Sequence, residues 1–70
     1  MKYLSSFVKN RRKLLGLTQE ELSLKAGVGL RFIRDMEQGK RSLKMDKVNQ
    51  VLSLFGHELG PIPKERDEER

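Results

Sequence analysis

Apolar residues recur at helical spacing in four stretches of this chain, and each stretch runs up to a glycine: Gly16, Gly27, Gly39 and Gly56. A helix commonly ends in a left-handed residue, which glycine supplies without steric cost, so the pattern predicts four helices. The first runs from an N-cap at Ser5 or Ser6 to about Leu15, with Leu4, Val8, Leu15 and the charged Arg12 on one face. The second starts at Thr18, where Glu21 three residues on completes a capping-box pattern, and turns Leu22 and Ala26 inward. The third follows Gly27-Val28-Gly29 and spans about Leu30 to Gln38, with Ile33 and Met36 inward and Glu37 one turn beyond Ile33. The fourth runs from Lys44 or Met45 to Phe55, with Met45, Val48, Leu52 and Phe55 as its stripe. After Gly56, residues 57–63 read as a short extended piece, which Pro61 and Pro63 confine to an edge or to no strand. The expected fold class is all-α, with one domain over residues 1–63 and a charged tail over 64–70 that is expected to be disordered.

Length and charge sharpen this picture. A chain of 70 residues suffices for one domain and buries only ~60% of the surface that its unfolded form exposes, so a second copy would add needed stability. With no cysteine, neither a disulfide nor a thiolate zinc site can staple the fold. No run approaches the ~20 apolar residues of a membrane span, and MKYLSSFVKNRRK turns basic where a secretion signal needs an apolar core; a cytoplasmic location without membrane association is expected. The last seven residues, KERDEER, carry three bases and four acids, which leaves twelve bases against six acids before them. That surplus favours a polyanionic partner such as DNA.

Residues 18–40, TQEELSLKAGVGLRFIRDMEQGK, place two helices around a glycine turn, the second short and basic at its start. This is the helix-turn-helix arrangement, in which the second helix enters the major groove by its N-terminal half. Counting outward from Ile33 and Met36 puts Gly29, Leu30, Arg31, Arg34 and Asp35 on the DNA side. Arginine can bond guanine through two donors, a carboxylate can accept from cytosine, and leucine can touch a thymine methyl. The bland alternative is that Arg31 and Asp35, four apart, form only a surface ion pair. Gln19, at the first turn of the second helix, is placed to bond a phosphate, and Lys40 and Arg41 can reach the adjoining backbone.

Arg12 and Glu37 each put a charge on an apolar face, and a buried charge is tolerated only when paired, so the two are expected to pair across helices one and three. Apolar positions also exceed what one small core needs. Val51 and Leu54 on helix four, with Leu59 and Ile62, are expected to form the interface of a two-fold homodimer on a palindromic double-stranded operator.

From Asn10 to Phe55 the chain resembles the phage-repressor and XRE class of helix-turn-helix regulators. The matching residues are Arg12, Gly16-Leu17-Thr18-Gln19, Glu20-Glu21-Leu22, Lys25-Ala26-Gly27-Val28 and Glu37-Gln38-Gly39-Lys40. The resemblance implies a compact four- to five-helix core, dimeric binding to palindromic operators and an interhelical pair of Arg12 with Glu37. Residues 31–59 are similar to HipB-like antitoxins, which implies a bacterial module that represses its own operon and binds a HipA-like serine/threonine kinase toxin. The chain departs from the pattern at Gly29, where a serine commonly stands, and at Pro61 and Pro63, where relatives often continue into a strand.

An enzyme finds little support and no cofactor is implied. His57 has no nucleophile or metal partner near it in sequence, and Gly39-Lys40-Arg41-Ser42 lacks the earlier glycine of a phosphate-binding loop, since Arg34 holds that place. A pure protein-interaction module is the other alternative, carried by Leu24, Leu43, Val51 and Leu54.

Overall fold

The computed structural model describes residues 2–64. It contains α1 (Lys2–Leu14), α2 (Gln19–Ala26), α3 (Leu30–Glu37) and α4 (Met45–Ser53), with no strand among the described residues. The expected all-α class is thus what is found. α3 packs against both α1 and α2, and α4 packs against α2. The expected tail lies outside the described residues from position 65 onward.

α1 begins earlier than the serines suggested, and Ser5 and Ser6 lie inside it instead of capping it. A serine cap is worth about 1 kcal/mol. A helical backbone from Lys2 instead carries Leu4 and Phe7 against the core, and burial of side chains of that size contributes about 1.5–3 kcal/mol each when complete. Arg11, Arg12 and Lys13 in the last turn complement the negative end of the helix dipole. Leu15, expected inside, is exposed, and Leu17 packs on the core in its place.

α2 starts on a formed capping box: the Glu21 N–H donates to Thr18 Oγ1 at 3.0 Å, and the Thr18 N–H donates to Glu21 Oε1 at 2.8 Å. Leu22 and Ala26 from this helix join Val8, Ile33, Met36, Val48, Val51 and Leu52 in the core.

The register of α4 differs from the expected stripe. Met45 is 67% exposed, whereas Val51, expected on a dimer surface, is fully buried. Val48, Val51, Leu52 and Phe55 follow the i, i+3, i+4, i+7 spacing of a single helix face, while Met45 sits at the first helical position, before that face meets the core. Val51 is therefore removed from the interface candidates. Residues 57–64 form no strand and fold back on α4: the His57 N–H donates to Leu52 O at 3.0 Å and the Leu59 N–H to Asn49 Oδ1 at 2.7 Å. Leu59 is half-buried against the core and Ile62 is exposed.

Two substitutions test this packing. Val51→Ala should lower stability by about 2 kcal/mol through the cavity it leaves, and Thr18→Ala by about 1 kcal/mol through loss of the cap. Chemical denaturation measures both, and a Val51→Ala protein as stable as the parent would return that residue to the surface.

Candidate nucleic-acid interface

The turn between α2 and α3 sets the angle at which α3 is presented. Gly27 takes the left-handed conformation, φ 74°, and its N–H closes α2 on Ser23 O at 3.0 Å. Any residue with a Cβ would be strained there. Gln50 Nε2 donates to Ala26 O at 3.2 Å, which ties α4 to the same turn. Gly29 is the N-cap of α3 with an extended backbone and no side-chain cap, and a Cβ at that position would meet nothing within 4 Å. The first turn of α3 is therefore open to an incoming group.

The outer face of α3 brings together most of the residues singled out for DNA contact. Arg31 has an 87% exposed side chain, Arg34 is exposed with no partner for its guanidinium among the described residues, and Leu30 is half-buried beside them. Arg31 Nε donates to Asp35 Oδ1 at 3.3 Å, and Lys40 Nζ lies 3.5 Å from Asp35 Oδ2. Arg41 follows, exposed, in the bend after Lys40. Arg31, Asp35 and Lys40 thus form one chain of charges along the face, with cations at both ends.

Behind this face lies a second group of charges. Arg12 Nε donates to Glu37 Oε2 at 2.7 Å, Arg12 Nη2 to Glu37 Oε1 at 3.0 Å, and Arg12 Nη1 to Leu17 O at 2.8 Å. The side chains of Arg12 and Glu37 are only 12% and 2% exposed. Gln19 Nε2 adds a bond to Glu37 Oε1 at 3.1 Å, so one of its two amide N–H groups is directed inward and not at a phosphate. The sequence gives Gln19 no such partner, because nothing local reveals that the first turn of α2 abuts the end of α3. Burial pushes the Glu37 carboxyl up, but hydrogen bonds from Arg12 and Gln19, with the charges of Arg12 and Lys9, outweigh it and hold the group below the ordinary carboxylate range.

A third feature escaped the sequence reading. Tyr3, Phe7 and Leu14 form a second apolar line on α1, legible as i, i+4, i+11 spacing. The Phe7 ring meets Phe55 edge-on at 6.2 Å and His57 at 4.7 Å, while Arg11 lies 5.1 Å from its centroid. His57, expected to be a plain surface residue, is exposed yet braces this region, its Nδ1 2.7 Å from Phe55 O. An open groove of about 490 Å³ runs between Tyr3, Phe7, His57 and Ile62. Leu14, Leu15, Leu54 and Phe55 line a neighbouring cleft. None of these residues belongs to the 18–40 unit. Among the described residues no three histidine or carboxylate groups gather as they would around a metal, and no helix is long and apolar enough to cross a membrane.

Residues 8–60 match the sequence model of the helix-turn-helix family. An uncharacterized HTH-type transcriptional regulator, y4mF, of Sinorhizobium fredii is 47% identical over 53 residues, which cover 76% of this chain and 70% of that protein.

Removal of either member of the buried pair strands the other charge, so Arg12→Ala or Glu37→Ala should cost about 3 kcal/mol or more, and a double change to packed apolar residues less. The unfolded chain titrates Glu37 near its ordinary value, about 4.3. Because the folded value is lower, this contribution is fully present above that pH and is lost as pH falls through the folded value. Thermal melts between neutral and acid pH should show the loss in the parent and a smaller one in Glu37→Gln; identical pH dependence would show that the pair is solvated.

Proposed function

The chain belongs to the helix-turn-helix family, and on that premise we propose that this DNA-binding regulator of transcription reads a specific operator with the outer face of α3 and represses the promoter there. One observation carries the reading: the free guanidinium of Arg34 and the exposed fork of Arg31 stand on the same helix face, beyond an uncapped first turn. Gly29 lets the duplex backbone approach that turn closely. Leu30, Arg31 and Arg34 face base edges, while Lys40, Arg41 and the backbone start of α2 at Gln19 hold phosphates and set the register.

The operator is palindromic and the active species is a homodimer. One recognition helix reads only a few base pairs, and a symmetric pair doubles the contacts. With Val51 in the core, the surface that supports this reading is the apolar region of Leu54, Leu59 and Ile62 together with Tyr3 and Leu14, which leaves the 18–40 unit free for DNA. The similarity of residues 31–59 to HipB-like antitoxins supports a narrower role, repression of the chain's own operon in complex with a HipA-like serine/threonine kinase. Co-expression with the kinase encoded beside it should yield a stable complex; separate elution of the two proteins contradicts that role.

Arg31→Ala should lower specific affinity by about 1–3 kcal/mol and relax the preference at one base pair. A binding-site selection with unchanged preference and affinity would remove Arg31 from the reading set. Sedimentation of the parent should give a dimer, and Ile62→Asp with Leu54→Asp a folded monomer. A parent monomer that binds one half-site at full affinity would contradict the dimer.

A further inference from the structure

Asp35 occupies an odd place for an acid. On a helix the stabilising order puts the acid before the base, in keeping with the dipole, yet here Arg31 stands in the first turn of α3 and Asp35 toward its negative end. An exposed pair of this kind adds little to stability in any case. A carboxylate on a face turned toward phosphates also opposes binding by its charge. Helix stability and general affinity for DNA therefore both leave Asp35 unexplained.

Its surroundings supply the explanation. The side chain is only 20% exposed, against 87% for Arg31 and 54% for Lys40, so the two cations shield it. Oδ1 accepts from Arg31 Nε and Oδ2 faces Lys40 Nζ. The Lys40 N–H also donates to Asp35 O at 3.0 Å, which fixes the base of that side chain beside the carboxylate. Of the five donors on a guanidinium, the contact at Nε uses one and leaves the terminal pair of nitrogens free, a fork that matches the O6 and N7 acceptors of guanine.

We propose that Asp35 is a positioning residue and not a base reader: it orients Arg31 so that the terminal nitrogens face guanine, and it withholds Arg31 and Lys40 from indiscriminate phosphate contact. This rests on the operator reading above. Asp35 then sets specificity at the expense of general affinity, acting through Arg31 and without touching a base.

The test is a binding-site selection with salt titrations on the full chain, comparing the parent, Asp35→Asn, Arg31→Ala and the double variant. Asp35→Asn should lose roughly tenfold of the preference at the base pair that Arg31→Ala also relaxes. Its binding to random-sequence duplex should strengthen, and the slope of log affinity against log salt should steepen by about one as a freed cation takes a phosphate. In the Arg31→Ala background, Asp35→Asn should leave the base preference unchanged. The proposal is overturned if Asp35→Asn keeps the parent's preference at that position. It is also overturned if the variant loses a cytosine preference elsewhere that persists without Arg31, since Asp35 would then read a base directly. A parent with no sequence preference would instead overturn the operator reading itself, a separate and visible result.

Discussion

The buried contact between Arg12 and Glu37 is the constraint on which the remaining geometry depends. Two short helices and a glycine turn do not by themselves hold a fixed angle to a third helix. Arg12 spans the gap: it donates twice to the last residue of α3 and once to the carbonyl of Leu17, in the loop that leads into α2. Gln19 closes the group from the first turn of α2. One guanidinium and one carboxylate thus join three elements whose apolar faces alone would allow sliding. The energy involved is not a large net gain, since desolvation of both charges offsets most of their attraction. The effect is that of a register: the core accepts one arrangement of α3 because any other leaves a charge buried and unpaired.

Charges in this small chain therefore do two kinds of work, separated by burial. Arg12 and Glu37 are removed from water and hold shape. Arg31, Arg34, Lys40 and Arg41 stay in water and are available to a polyanion. Asp35 lies between, shielded by two cations on the outer face. The net positive charge that first suggested nucleic acid is a sum over these classes, and its location on the α3 side gives it meaning.

Much of this was legible in the sequence wherever a local rule governs. The capping box at Thr18 and Glu21, the left-handed glycines and the inward Ile33 and Met36 are short-range features, and the structure contains them. The failures came where tertiary contact overrides a local preference. Serines at 5 and 6 are good caps, but burial of Leu4 and Phe7 draws the helix past them. Val51 was taken for surplus because a stripe beginning at Met45 also has helical spacing, and only contact with α2 decides between two stripes so close in phase. The inward turn of Gln19 and the stacking of His57 on Phe7 depend on residues 18 and 50 positions away, beyond any periodicity.

The central claim is that the outer face of α3, held by the buried pair, is where the duplex binds. Backbone amide resonances of the labelled protein, followed during titration with an operator duplex, test it most directly. The account predicts that the largest shifts fall on Gly29 to Asp35, on Lys40 and Arg41 and on the first turn of α2, while Tyr3, Phe7 and Ile62 remain unmoved at constant oligomeric state. Shifts centred on Tyr3, Phe7 and Ile62, with α3 silent, would contradict it.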